Sequence, residues 1–158
     1  MDNRINGVGQ YKWKDGRKYY GHWYNNDMHG MGIYIYTDGV TYEGQYKEDK
    51  KTGYGLYFWT DGRKYDGWWY NGKQHGLGIY KDPSKGKVKY GLWEHGKRIT
   101  WFSPQAIYQI NEHQYNYEAE FKEAQSKTYV EPNATFARPD KFDESIKQIK
   151  EMFQLESA

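Results

Sequence analysis

The histidines are the side chains in this sequence best suited to hold a metal ion or to transfer protons near neutral pH. His29 and His75 hold the same position in a repeat of 23 residues and stand two repeats apart. If each repeat adds two strands to a sheet, these side chains lie about 20 Å apart, too far to share one metal ion. We therefore predict no metal site and interpret both histidines as turn residues that make local hydrogen bonds.

The same repeat spacing separates the carboxylates from one another. Asp15, Asp38 and Asp61 each precede a glycine at one repeat position, which is typical of a tight turn. Glu43 and Asp66 share another position, so no close acid/base pair is predicted. The Gly-x-Gly triplets lack the following helix and the lysine of a phosphate-binding loop. These patterns predict a chain with no catalytic residues and no cofactor, which is not an enzyme.

Composition narrows the class of protein further. The chain has 158 residues, 20% of them aromatic, a formal net charge of +2 and no cysteine. A disulfide scaffold and a thiolate zinc site are thereby excluded. The near-neutral charge does not favour nucleic acid as a partner. The N-terminal residues lack the apolar run of a signal peptide, and no stretch is apolar enough to span a membrane. We therefore expect a cytoplasmic protein that is not transmembrane.

The chain divides into two parts near residue 102. All 18 glycines lie at or before Gly96. Residues 1–102 carry a net charge of +6, and residues 103–158 carry −4. This change in composition predicts a glycine–aromatic region at 1–102 and a separate tail at 103–158.

The first part is a repeat array. Full units occupy residues 19–41, 42–64 and 65–89, and half units occupy residues 6–18 and 90–98. Aligning the units places the glycines in three shared columns, namely Gly21, Gly44, Gly67 and Gly91; Gly30, Gly53 and Gly76; and Gly32, Gly55 and Gly78.

Each unit is predicted to form a β-hairpin. Tyr42, Gly44 and Tyr46 alternate with polar residues, a polar turn spans residues 47–52, and a second alternating stretch ends at Asp61-Gly62. Because a single hairpin is marginally stable, successive units must pair. The predicted fold is therefore mainly β: a single-layer antiparallel meander of 23-residue hairpins, followed by an α-helical tail.

Glycine in a strand usually marks the close approach of another group. We expect this group to be an aromatic ring from a neighbouring strand or repeat, lying flat on the bare backbone. The aromatic residues that we expect to serve as structural residues of the repeat are Trp23, Tyr42, Tyr65, Trp69 and Trp93.

The motif Tyr-x-Gly-x-Trp/Tyr, Asn-Gly-Lys-x-His-Gly-x-Gly, then Asp-Gly resembles the MORN (membrane occupation and recognition nexus) repeat family. The resemblance covers residues 6–98, and the best-matching unit is YDGWWYNGKQHGLG at 65–78. The middle unit departs from the motif, with Glu48-Asp49-Lys50 and Thr52 at turn positions. These departures leave the strand glycines in place, so the fold is expected to persist.

The tail is predicted to contain two helices. Ser103 and Pro104 suit a helix start, and apolar residues at spacings of three and four predict a helix over about 104–127. A linker at 128–139 precedes a second helix over about 140–155. The first helix is expected to cap the chain's own sheet through Ile107, Ile110, Tyr117 and Phe121, and the second to dock on a partner through Phe142, Ile146, Ile149 and Phe153.

Basic residues in the turns raise the possibility of contact with acidic lipid headgroups. The residues concerned are Arg17, Lys18, Lys50, Lys51, Arg63 and Lys64. Asp, Glu and Asn are mixed among them, and solubility of an aromatic-rich sheet explains the lysines equally well.

The resemblance implies a non-enzymatic scaffold or adaptor that binds other proteins in a cytoskeletal assembly. Short MORN proteins are similar to components of cilia and flagella, so an axonemal location is expected. Two alternatives stay open: a tether to a phosphoinositide-containing membrane surface, and a regulatory subunit of a separate enzyme.

Overall fold

In the part of the chain that the structure describes, the protein forms one open antiparallel sheet with two helices against one side. A computed structural model describes residues 4–117 and 134–156. The strands lie in the sheet in chain order, which confirms the predicted meander. Their bounds are β1 Gly7–Lys12, β2 Lys18–Tyr24, β3 Asp27–Ile35, β4 Thr41–Lys47, β5 Lys50–Phe58, β6 Lys64–Tyr70, β7 Lys73–Asp82, β8 Lys87–Glu94 and β9 Lys97–Trp101; the helices are α1 Pro104–Asn111 and α2 Phe142–Met152.

Two kinds of tight turn make this meander. Asp15 and Asp61 each accept a hydrogen bond from the backbone N–H two residues ahead, at 3.1 Å, so the predicted Asp-Gly turns are confirmed. The opposite turns have only two central residues, such as Glu48 and Asp49 at φ 50° and 68°. The predicted polar turn over residues 47–52 is therefore too long, because Lys50 already begins β5.

The side chains alternate between two faces of the sheet. One face, called here the aromatic face, is built around Tyr19, Trp23, Tyr42, Tyr65 and Trp69. The other, called the covered face, presents Tyr20, Ile33, Tyr54, Leu56, Leu77 and Leu92 to the helices. The aromatic face thus contains almost only rings, whereas aliphatic residues contribute much of the covered face.

Helix α1 packs on the covered face near the last strands. The Ser103 side chain accepts a hydrogen bond from Ala106 N at 3.1 Å, which confirms the predicted cap. The helix ends at Asn111, and His113 takes a φ of 56°. The predicted continuous helix to residue 127 is therefore wrong at 112–116, since this backbone reversal interrupts it. Residues 118–133 lie outside the described part of the chain.

Helix α2 packs on the covered face near the first repeats. Phe142, Ile146 and Ile149 are 4%, 5% and 2% exposed, and they lie in one cluster with Ile33 and Leu56. The prediction that this stripe docks on a partner is wrong for these three residues, because the chain's own sheet buries them. Phe153 is half-buried beside Tyr20, with ring centroids 5.3 Å apart.

Candidate partner-binding face

A row of glycines crosses the aromatic face, one from each of β1 to β8. In register across the sheet these are Gly9, Gly21, Gly32, Gly44, Gly55, Gly67, Gly78 and Gly91. A methyl group added at Gly44 would lie 2.6 Å from the Cα of Gly55. From Gly21 to Gly91 the strands therefore leave no room for side chains along this row, called here the glycine row.

Three tyrosines cover the glycine row. A Cβ atom at Gly32, Gly55 or Gly78 would overlap the ring of Tyr19, Tyr42 or Tyr65, respectively. Each tyrosine lies two residues before the glycine of its own strand and extends over the paired glycine of the next strand. The predicted ring-on-glycine packing therefore occurs within one repeat, and each ring comes from the same hairpin as the glycines it covers.

Hydrogen bonds hold these tyrosines flat on the sheet. The hydroxyls of Tyr19, Tyr42 and Tyr65 each donate to a backbone carbonyl three residues ahead, at 2.9 Å. Burial raises the pKa of all three phenols. They are structural groups that stay neutral at physiological pH.

The predicted tryptophans pack between these tyrosines. Trp23, Trp69 and Trp93 meet Tyr19, Tyr42 and Tyr65 edge to face, with centroids 5.0–5.3 Å apart. The Trp69 indole also donates to Gly55 O at 3.1 Å. This layer leaves little of the glycine row exposed to solvent.

The glycine column outside this row lies at irregularities of the strand pairing. Gly30, Gly53 and Gly76 have φ values of 76°, 56° and 100°. They stand at the register shifts within each hairpin, where β2 pairs with β3, β4 with β5 and β6 with β7. Glycine adopts this left-handed backbone without strain, so this column shapes the hairpin and does not receive a ring.

Beside the tyrosines runs a second line of rings, all half-buried except Tyr34, which is buried. Successive ring centroids are 4.6–6.2 Å apart. This line, called here the aromatic ladder, consists of Trp13, Tyr34, Tyr36, Tyr57, Trp59, Tyr80 and Trp101. It extends from the first Asp-Gly turn to β9 and offers a continuous apolar contact surface.

Arginine side chains stack on the ladder. The guanidinium groups of Arg17 and Arg63 each lie 5.0 Å from the ring centre of Trp13 and Trp59. Each arginine also pairs with the aspartate of its own turn, at 2.8 Å. Hydrogen bonds from the arginine, the backbone N–H first, hold the pKa of Asp15 below its ordinary value. These pairs place the arginines where a cation adds to the affinity of an aromatic surface.

Lys51 is the most unusual cation on this face. Its Nζ atom lies 5.2–5.7 Å from the ring centres of Tyr36, Tyr42, Tyr57 and Trp69. Burial lowers the pKa of this ammonium group. Within the described part of the chain, no carboxylate lies at salt-bridge distance from it. A carboxylate of a bound partner would complete this arrangement.

Two cavities lie along the aromatic face, and both include Lys51. One of about 380 Å³ is lined by Trp13, Arg17 and Tyr36 among others, and one of about 290 Å³ by Tyr57, Trp59 and Trp69. Both are open depressions of the surface between rings and hairpin turns. The arrangement suits an elongated ligand better than a small molecule.

A larger cavity, of about 770 Å³, lies on the covered face beneath α2. Its charged side chains are already paired: Lys150 contacts Glu43 at 3.0 Å, and Arg138 bridges Asp66 and Asp143. Glu43 and Asp66 are almost fully buried. The cavity therefore lies at the joint between the helix and the sheet, where internal ion pairs hold the tail.

The predicted basic surface is not brought together. Arg17, Lys50 and Lys51 line one cavity of the aromatic face, and Lys18 begins β2. Lys64, in contrast, stands on the covered face and lies 3.7 Å from Asp66. The prediction that all six residues form one basic surface for anionic headgroups is therefore wrong, because strand alternation directs them to both faces.

The histidines form turn contacts. His75 Nδ1 accepts a hydrogen bond from His95 N at 3.0 Å, and the two rings lie 4.7 Å apart. The pairing of these two was not predicted, because His95 lies outside the His29/His75 column. Among the described residues no group of three or more His, Asp or Glu side chains could hold a metal.

The predicted capping residues belong to the first tail helix and the segment after it. Ile110 is buried in a cluster with Leu77 and Leu92, and Ile107 and Tyr117 pack at its margin. Phe121 lies outside the described residues.

The sequence analysis did not predict a contact role for the ladder residues. A signal was present, because Trp13, Tyr36 and Trp59 share one repeat column and Tyr34, Tyr57 and Tyr80 share the column two residues earlier. A spacing of two in a strand puts both columns on one face.

Comparison with known proteins addresses the repeat directly. A family model described as the MORN repeat matches residues 1–16, 19–41, 42–62 and 65–87. A search of curated proteins finds no match to the chain. In the part of the chain that the structure describes, neither helix has the length and apolar character of a membrane span.

Proposed function

The chain belongs to the MORN repeat family, and we propose that it is a non-enzymatic scaffold that holds another protein against its aromatic face. MORN repeats are protein- or membrane-interaction modules, so the family agrees with a scaffold. The observation that carries the proposal is the aromatic ladder. Its rings are continuous and, except for buried Tyr34, half-buried, while α1 and α2 occupy the opposite face.

The chemistry of the ladder defines the partner segment. Aromatic and arginine side chains are typical of residues that dominate binding energy at protein interfaces. Lys51 and the two stacked arginines add positive charge to the apolar surface. The partner segment is therefore acidic, elongated and rich in apolar side chains, and one of its carboxylates lies beside Lys51.

The proposal extends to the cellular assembly. The support is the resemblance to short MORN proteins of cilia and flagella and to cytoskeletal tethers. We place the chain in a cytoskeletal complex of the axonemal type, as a subunit that links other proteins. Acidic lipid headgroups are a competing ligand for Arg17, Lys50 and Lys51, and the experiment below distinguishes them.

Ring removal on the ladder tests the proposal. Trp59→Ser and Lys51→Met are expected to reduce co-purification of partner proteins from a ciliated-cell extract by about tenfold each, which corresponds to about 1.4 kcal/mol. The matched control is Tyr108→Ser, which removes a ring that is 64% exposed on α1 and should leave the partners in place. Urea unfolding of each variant verifies that the fold is kept.

Two results would refute the proposal. One is equal retention of partners by Trp59→Ser and by Tyr108→Ser. The other is salt-sensitive binding to phosphoinositide vesicles that Lys51→Met abolishes, together with no partner protein lost in the extract. The second result would assign the aromatic face to a membrane surface.

A further inference from the structure

The glycine row has one position whose glycine the chain itself does not explain. At Gly32, Gly55 and Gly78 an added Cβ would overlap a tyrosine ring. At Gly9, in the same column of the half unit, an added Cβ would meet only the Trp23 indole, at an ordinary 3.7 Å. The backbone of Gly9 also lies outside the left-handed region. Neither crowding nor conformation within the described chain requires glycine there.

The reason is the position of β1 in the sheet. In each full unit the strand with the Gly-x-Gly motif pairs with an earlier strand that carries Tyr-x-Gly, and that tyrosine covers the glycine. Strand β1 has the Gly-x-Gly motif but is the outermost strand of the described sheet. The space over Gly9, called here the Gly9 socket, has therefore no described tyrosine in it.

Side-chain exposure along β1 shows the same deficit. Ile5, Val8 and Tyr11 are 43%, 41% and 45% exposed. On the aromatic face the counterparts one repeat later are buried: Met28, the counterpart of Ile5, is 8% exposed, and Tyr34, the counterpart of Tyr11, is 6% exposed. Met28 and Tyr34 lie on β3, which has a Tyr-x-Gly strand on both sides, whereas β1 has only β2 beside it. A second such strand would cover Ile5 and Tyr11.

The opposite end of the sheet is closed by a different residue. In β9, Trp101 pairs with Gly91 at the position where a glycine stands in the inner hairpins. Its ring carbons would lie 2.9–3.0 Å from a Cβ at Gly91. Lys89 and Arg98 lie over the Trp101 ring at 5.2 and 4.6 Å. The last strand thus supplies its own ring, whereas the first strand leaves its socket open.

We propose that β1 is an acceptor edge for an extended segment of another protein with the sequence Tyr-x-Gly followed by an aromatic residue two positions later. The segment adds to β1 as an antiparallel strand, its glycine opposite Gly9 and its tyrosine opposite Tyr11. The tyrosine ring then fills the Gly9 socket. Strand addition of this kind takes affinity from backbone hydrogen bonds and specificity from side-chain pockets.

The occupant follows from the pairing already present in the sheet. Strands β3 and β5, which carry Gly-x-Gly, each have a Tyr-x-Gly strand on both sides in the same glycine-to-glycine register, and the new strand would give β1 the same two neighbours. A second copy of the chain fits less well. Its outermost strands are β1 and β9, and neither carries Tyr-x-Gly.

A peptide copied from β4, Thr41–Lys47 (TYEGQYK), is a direct probe. Added to the isotopically labelled full chain at millimolar concentration, it should shift amide resonances of residues 5–12 and slow hydrogen exchange there. Ladder residues far from β1, such as Trp59 and Tyr80, should not respond. A peptide with the change Tyr42→Ala should bind about tenfold more weakly, because it cannot fill the Gly9 socket.

Two variants of the edge make the test specific. The Cβ of Gly9→Val would meet only the Trp23 indole, at 3.7 Å, so we expect the chain to stay folded. Its methyl groups should occupy the socket and abolish peptide binding. Gln10→Val changes the neighbouring residue, which points to the covered face, and should keep binding. The fold of each variant is checked by its amide spectrum.

Three outcomes would overturn the proposal. These are no response of β1 amides at saturating peptide, unchanged affinity in Gly9→Val, and a dimer of the free chain in sedimentation that Gly9→Val dissociates. The last result would assign the edge to a second copy. The binding of protein partners to the ladder is measured separately with Trp59→Ser, so failure here leaves that proposal standing.

Discussion

The two faces of this sheet achieve burial in different ways. The aromatic face covers its own backbone, because Tyr42 and its equivalents lie flat on paired glycines. The covered face contains Ile33, Leu56 and Leu77, which no group of the sheet covers, and it depends on α1 and α2. One face is therefore complete without the tail, and the other is not.

This difference explains where a partner can bind. A face that needs the tail for its own stability is occupied in the free chain. A face that covers itself can present half-buried rings to solvent without losing its structure. The repeat thus separates stability, which the tyrosines and glycines provide, from the partner contact that we propose for the ladder.

Alkaline pH should break the aromatic face and produce the largest effect. Burial raises the pKa of Tyr42, Tyr46 and Tyr65 well above 10.0. A raised pKa gives stability that is complete below pH 10 and is lost as the pH rises. Each such tyrosine should remove about 1.4 kcal/mol per pH unit above 10.

The chain should therefore unfold cooperatively between about pH 10 and 12, since typical stabilities are about 5–15 kcal/mol. Circular dichroism follows unfolding, and ultraviolet absorbance follows phenolate formation. The two curves should coincide for these tyrosines. Complete phenolate formation in a chain that is still folded would contradict the burial described here.

A methyl group in the glycine row should have the next largest effect. Gly55→Ala forces the Tyr42 ring off the backbone, and we expect a loss of about 3 kcal/mol in the free energy of unfolding, the upper end for an overpacked site. Gly9→Ala, in the same column, has room and should cost less than about 1 kcal/mol. Urea unfolding measures both. Equal losses would show that the tyrosine does not determine the glycine.

The covered face is tested by its ion pair. Lys150→Met leaves buried Glu43 without a cation and should cost about 2–3 kcal/mol. Adding Glu43→Leu should return stability to within about 1 kcal/mol of the unaltered chain, because the uncompensated charge is gone. Thermal or urea unfolding of the three variants completes the cycle. Additive losses would show that the two residues do not interact.

A turn substitution should change neither face and have the smallest effect. Glu48 has a φ of 50°, where asparagine is favoured over glutamate. Glu48→Asn should stabilise the chain by about 0.5–1 kcal/mol. Asp49, the other central residue of the turn, is left unaltered, because its side chain accepts a hydrogen bond from Met28 N at 2.7 Å. Destabilisation by Glu48→Asn would contradict the assigned turn geometry.

The repeat made the sheet predictable from the sequence. Columns such as Gly32, Gly55 and Gly78 fix the length of a unit, and Asp61-Gly62 marks one turn of each hairpin. That an aromatic ring covers each glycine was also predictable. Which residue supplies the ring was not predictable. A repeat column shows that Tyr42 shares a face with the glycines, but it does not show the direction in which the Tyr42 ring leans.

The tail was less predictable for a physical reason. An amphipathic stripe such as Phe142, Ile146 and Ile149 states that one side of a helix is buried, but not what buries it. The contact between Lys150 and Glu43 joins residues far apart in the chain and has no periodic signal. The predicted helix to residue 127 failed because the apolar spacing continues past His113, whose backbone turns away.

Carbene footprinting of the unaltered chain, free and in its native complex, tests the central claim most directly. We expect Tyr57, Trp59 and Tyr80 to be labelled in the free chain and protected in the complex. Leu56 and Ile146 should be protected in both states. If the ladder residues stay labelled in the complex while the α2 stripe gains protection, the partner binds through the tail and the account is wrong.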